Sequence, residues 1–176
     1  MRLFTRRTPR AEPSPIVVTA LELARGEQVL SFAVDDITGA HVVATTYAIA
    51  VVTPDGQRTS RRRWLSVSTG VWDPDTATLT VTWADGADQA LWSMRDQATL
   101  LPETVRERVQ ASVVLSARLN LGDRRSGRVA IRQDFANGEL IPQTILGQST
   151  YPDDPEVQAH VRAALAHLKD QVGLPA

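Results

Sequence analysis

Residues 77–84 read Ala77-Thr78-Leu79-Thr80-Val81-Thr82-Trp83-Ala84. Leu79, Val81 and Trp83 alternate with Thr78, Thr80 and Thr82, so an extended backbone turns one apolar face and one hydroxyl-bearing face outward. Asp73-Pro74-Asp75-Thr76 before this run and Asp85-Gly86 after it have turn composition. The stretch is a strand with one face buried and the other wet.

The same signal repeats on both sides. Ala87 to Met94 follows, with Ala90, Trp92 and Met94 on one face. Upstream lie Gly70 to Asp73, Arg61 to Val67, Tyr47 to Thr53, His41 to Thr45 and Val29 to Val34. Pro54-Asp55-Gly56 and Asp35-Asp36-Ile37-Thr38-Gly39 separate the upstream strands as turns, because Pro presets one turn dihedral and Gly accepts the positive one. Seven short strands in succession imply an antiparallel sheet curled into a barrel or sandwich. Before them, apolar residues at 17, 20, 21 and 24 suit a short helix over Ile16 to Ala24 ended by Gly26, although Ile16-Val17-Val18 also suits an extended segment.

After the strands the period changes. Pro102-Glu103 opens a helix, since Pro tolerates the first helical position and a carboxylate favours the positive helix end. Leu101, Val105, Val109, Ser112, Val113 and Ser116 form its apolar stripe over about four turns, and burying that stripe closes the open end of the sheet. Gly122 to Gly127 is a polar, arginine-bearing loop. Arg128 to Phe135 and Glu139 to Leu146 read as a hairpin through Asn137-Gly138, the most favoured two-residue turn. Asp154-Pro155-Glu156 starts a last helix whose apolar face is Val157, Val161, Ala164, Leu165, Leu168 and Val172, and Gly173 with Pro175 ends it. The fold class is α+β: a seven-stranded antiparallel barrel or sandwich capped by a helix, then a β-hairpin and a C-terminal helix.

Composition bounds the chemistry. The chain has 176 residues, 43% hydrophobic and 22% charged, with a formal net charge of −1, which describes an ordinary globular protein. With no cysteine, disulfides, thiol catalysis and cysteine-ligated metals are excluded. No apolar run reaches the ~20 residues that span a bilayer, so no transmembrane segment is expected. Of 19 basic residues only Lys169 is lysine, a skew that fits a GC-rich genome. Arginines cluster at Arg2, Arg6, Arg7 and Arg10, at Arg61 to Arg63, and at Arg124, Arg125 and Arg128. Acidic residues balance them within each larger segment, which leaves no domain-wide field to hold a duplex. The first ten residues are basic and lack the apolar stretch of a secretory signal. We therefore expect a flexible basic arm over residues 1–15 and a cytoplasmic protein.

Arg62-Arg63-Trp64, Val71-Trp72-Asp73 and Thr78-Leu79-Thr80-Val81, together with seven strands followed by one helix, resemble the mid-domain pattern of bacterial pleckstrin-homology-like (PH-like) proteins. The whole chain is similar to small uncharacterised actinobacterial proteins of about this length. The resemblance implies a PH-like domain over residues 16–119 and a hairpin-plus-helix extension over 120–176 packed on it. It departs from the family at the loop between the first two strands. Phosphoinositide-binding members carry Lys and Arg there, whereas this chain has Asp35-Asp36-Ile37-Thr38-Gly39-Ala40. Two carboxylates repel a polyphosphate head group, which argues against a phosphoinositide ligand.

Other candidate sites reduce to structural roles. His160 and His167 are seven residues apart on the terminal helix, roughly 10 Å along its axis, too far to grip one ion together. His41 begins a strand with no partner in sequence. No G-x-S-x-G is present to mark a nucleophile elbow. The loop Gly122-Asp123-Arg124-Arg125-Ser126-Gly127-Arg128 lacks Walker A spacing and its lysine, and reads as a solvated connection. Asp35-Asp36 and Asp153-Asp154 are explained by turns and helix capping. Trp64, Trp72, Trp83 and Trp92 fit packing at strand spacing better than base stacking.

The expected function is a non-enzymatic binding or scaffold module for a protein partner, with no cofactor. One alternative is an anionic surface or nucleic acid held by Arg61, Arg63, Arg124, Arg125 and Arg128, of which Arg61 and Arg63 would project from one face of a strand. Another is a small enzyme whose site is assembled from residues distant in sequence.

Overall fold

The computed structural model of the chain describes residues 12–175. The basic arm expected over residues 1–15 falls largely on residues 1–11, outside the described residues. Helix α1 spans Pro15–Leu21, with Pro15 in its first turn, and it ends at Glu22 in a left-handed conformation (φ 47°), not at Gly26.

Strands β1 (Val29–Val34), β2 (His41–Thr45), β3 (Ala48–Val52) and β4 (Arg58–Arg63) form an antiparallel meander. β2 is buried on both sides, which explains its run of apolar residues. On one side Val43, Ala50 and Val52 pack with Val17 and Leu21 of α1. On the other, Val42, Ala44 and Ile49 enter the main core.

Arg61 to Val67 is not one strand. β4 stops at Arg63, Trp64–Ser66 make a single 3-10 turn, and β5 (Val67–Asp73) begins a second sheet. The turn buries Trp64, whose indole N–H donates to the carbonyl of Thr45 at 2.9 Å, and that anchor breaks the strand. β6 (Thr78–Trp83) alternates as its sequence predicts, with Leu79, Val81 and Trp83 buried, and β7 (Ala90–Ser93) completes the order β5-β6-β7.

Helix α2 spans Leu101–Ser112 and inserts Leu101, Val105 and Val109 between the two sheets. Gly70 of β5 makes the approach possible, because a Cβ there would lie 2.5 Å from Cγ1 of Val105. The expected helix of four turns is too long. Val113 and Ser116 belong to strand β8 (Val113–Arg118), in which Leu115 and Ala117 face a different core. The buried Ser112 hydroxyl donates to Val109 O at 2.6 Å where the helix stops, and two β-branched residues follow.

The expected hairpin is one part of a third sheet, ordered β10-β9-β8, from β9 (Gly127–Gln133) and β10 (Leu140–Leu146). Its connection is longer than two residues. Asp134 N donates to Glu139 O and Gly138 N to Asp134 O, so Asn137-Gly138 sits inside a six-residue loop, 134–139. Helix α3 (Pro155–Gln171) covers one face of this sheet through Val157 and Leu168. The architecture is thus α+β, with ten strands in three antiparallel sheets of four, three and three, and the strands do not close into a barrel.

Candidate functional site

Strand β9 is buried on both faces, and its alternation assigns each residue to a side. Val129 and Ile131 face α3. Arg128 and Arg132 face the second sheet instead, where β5 and the 3-10 turn accept their hydrogen bonds. Arg132 is 1% exposed and has no carboxylate within 4 Å among the described residues. Its Nη1 donates to Val67 O at 2.8 Å, Nη2 to Trp64 O at 2.8 Å, and Nε to Ser112 Oγ at 3.0 Å. One guanidinium therefore ties the third sheet to the start of β5 and the end of α2. Burial pushes its pKa down to about 10, and the nearby charge of Arg128 acts in the same direction.

Arg128 Nη2 donates to the carbonyl and hydroxyl oxygens of Ser68, each at 3.2 Å, the long end of the hydrogen-bond range. Directly across the ladder stands Arg118 of β8, exposed and without a hydrogen-bond partner among the described residues. Directly opposed side chains have Cβ atoms about 5 Å apart, so two positive charges share this position. Three arginines thus share one sheet face, and none of them has a carboxylate within 4 Å among the described residues.

β8 is also an edge strand. Leu119 N donates to Gly127 O at 2.9 Å, and bonded and unbonded pairs alternate along an antiparallel ladder. The N–H groups of Leu115 and Ala117 therefore point to β9, and those of Ser116 and Arg118 point away from it. Parts of other edges are engaged by the chain itself. Gln97 accepts from Val34 N at 2.9 Å and Thr99 donates to Phe32 O at 2.7 Å along β1. Ser93 of β7 is engaged by Asp35 Oδ1 and by Asp36 N, each at 2.9 Å. On β10, Gly147 N pairs with Ser126 O, so the same alternation places Pro142, which has no N–H, on the outward side.

Of the five arginines singled out from sequence, three are bound to acids. Arg61 Nη2 bonds both oxygens of Glu27 at 2.9 and 2.7 Å, and Arg63 pairs with Asp134, which is buried. Arg125 bridges Asp154 at 3.0 Å and Glu156 at 2.7 Å, joining the 122–127 loop to the start of α3. Arg128 is the one that reaches the face described above. Arg124 is exposed, with no ion pair or hydrogen bond among the described residues. Arg62 lies 4.3 Å from the ring centroid of Trp83 and pairs with Asp85.

Burial of Glu27 acts to raise its pKa, but hydrogen bonds from Thr45 and Ala24 N and the charge of Arg61 outweigh it and hold the carboxyl below its usual value. Asp35 and Asp36 lace the first turn to β7. Asp35 accepts from Ser93 N at 2.9 Å and Thr38 Oγ1 at 2.6 Å, while Asp36 accepts from Arg95 N at 2.6 Å. That bond from Arg95 N is the main influence lowering the Asp36 pKa. Trp64, Trp83 and Trp92 are buried, and Trp72 packs against the same core. His160 Nδ1 lies 2.9 Å from Glu156 O and His167 Nε2 lies 2.9 Å from Gln171 Nε2. A cleft of about 180 Å³ opens between Ser66, Asp85 and Gln143, and an apolar groove of about 270 Å³ runs between β10 and α3 past Leu146, Val157 and Val161. Among the described residues no three His, Asp or Glu side chains are placed to hold a metal, and no helix is long and apolar enough to cross a membrane.

Arg118, Arg132 and Ser68 were not singled out from sequence, and Ser112 and Ser116 were read only as members of a helical stripe. The alternation Arg128-Val129-Ala130-Ile131-Arg132 carried a signal for Arg132, because an apolar face opposite paired arginines marks a strand charged on its inner side. Arg118 was hidden by extending α2 into its strand.

Comparison with known protein families, with curated proteins and with solved structures finds no match to this chain.

Proposed function

We propose that the chain is a non-enzymatic binding module on a PH-like scaffold, working in the cytoplasm, that holds an extended segment of a partner protein along the free edge of β8. The scaffold reading draws support from the order of a four-stranded sheet, a three-stranded sheet and then α2 packed between them.

The carrying observation is the outward N–H of Ser116 and Arg118 on an edge that no other strand covers among the described residues. An unpaired edge is a template for strand addition, in which main-chain bonds supply affinity and side chains supply selectivity. Val114 is 41% exposed at the start of that edge and offers an apolar contact. Arg118 at its other end, with Arg128 across the ladder, favours a segment carrying acidic side chains.

The alternative of an anionic surface or nucleic acid has weaker support, since Arg61, Arg63 and Arg125 already face carboxylates.

Ser116→Pro tests the reading. Proline at an outward position removes one edge donor and leaves the ladder to β9 intact. Proteins captured from lysate by the native chain should be lost with Ser116→Pro while its circular dichroism is unchanged. Equal capture by both forms would reject strand addition at β8.

A further inference from the structure

We propose that the face between Arg118 and Arg128 is a seat for a phosphoryl group. The seat is made by side chains and does not need the strand edge, although it draws on the same two arginines that the binding reading gives to acidic side chains.

Arg118 and Arg128 are direct cross-strand partners, and like charges so placed destabilise a sheet. Neither has a carboxylate within 4 Å among the described residues. The charge of Arg132 acts on the same region, as its interaction with Arg128 records, and its own donors are spent on Val67, Trp64 and Ser112. Arg128 spends one nitrogen on two long bonds to Ser68, and the rest of its fork has no hydrogen bond among the described residues. The hydroxyl of Ser116 projects from the same face as Arg118, two residues away, with no hydrogen-bond partner among the described residues.

A ligand that removes this repulsion must carry more than one negative charge and several acceptors. A phosphoryl group has a charge of about −1.5 to −2 at neutral pH and three acceptor oxygens, and arginine binds it bidentately. A single carboxylate neutralises one of the two guanidiniums and leaves the other unpaired. The group comes from free inorganic phosphate or from a phosphomonoester, whose ester substituent would extend past Arg118 into solvent.

The test follows thermal unfolding while inorganic phosphate or methyl phosphate replaces chloride at constant ionic strength. Both should raise the midpoint saturably, since a ligand that binds only the folded state stabilises it. Stabilisation by inorganic phosphate alone would assign the seat to the free ion. Arg118→Ala, at an exposed position without partners, should weaken phosphate about tenfold, the scale of one lost charge-assisted contact. It should also melt no lower than the native chain in phosphate-free buffer, because repulsion is relieved. Arg124→Ala should keep most of the response. Phosphate acting no differently from chloride, or acting equally on Arg118→Ala, would overturn the assignment.

Discussion

Arg128 and Arg132 stand four residues apart on β9, yet their guanidiniums donate to consecutive carbonyls of β5, those of Ser68 and Val67, at 3.2 and 2.8 Å. Cations bound to backbone oxygens therefore tie the third sheet to the second. Removing Arg132 strips its charged donors from Trp64 O, Val67 O and the Ser112 hydroxyl in a buried site, leaving Trp64 O with Val67 N and the Ser112 hydroxyl with Val109 O. Arg132→Met should cost about 2–5 kcal/mol in urea unfolding. Arg132→Lys should recover little, because an ammonium cannot span the same three acceptors.

Gly70 is set by packing with α2. Gly70→Ala should destabilise by about 1–3 kcal/mol, the usual cost of overpacking, because Val105 is β-branched and cannot swing aside. Val105→Ala in the same chain should restore part of that loss, so the two effects should fail to add in a double-mutant cycle.

Glu27 makes stability depend on pH in a defined direction. Its folded pKa lies below the ordinary carboxylate value, so the unfolded chain binds more protons in the window between them. The contribution is present above the unfolded pKa of about 4.5 and is lost as pH falls through the folded value. Glu27→Gln should cost about 1–3 kcal/mol near neutrality and progressively less as pH falls below the unfolded pKa, measured as the difference in urea midpoints between the two forms.

The sheets were legible in sequence where burial is one-sided, as in Thr78–Trp83, because a period of two survives unmasked there. The terminal helix was legible from its cap, and Asp154 does accept from Glu156 N at 2.9 Å. Three places were not. Arg61 to Val67 hid a break because the anchor of Trp64 is the distant carbonyl of Thr45. Val113 to Arg118 satisfied both the helical stripe and the strand alternation, and only contacts with β9 choose between them. The arginine runs marked charge but not destination, since Glu27 and Asp134, which bind Arg61 and Arg63, lie 34 and 71 residues away.

Asp154 caps α3 and also binds Arg125. Asp154→Ala should cost about 0.5–2 kcal/mol, the range for a lost N-cap, and Asp154→Asn should recover most of it if capping dominates the pair. Thermal or urea unfolding of the two variants separates these roles.

Amide hydrogen exchange along β8 tests the open edge most directly. In the free chain Ser116 and Arg118 should exchange orders of magnitude faster than Ala117 and Leu119, whose N–H groups are bonded to β9. Adding a captured partner should slow Ser116 and Arg118 and leave Ala117 unchanged. Protection of Ser116 and Arg118 in the free monomer, or no slowing when the partner is bound, would contradict strand addition at this edge.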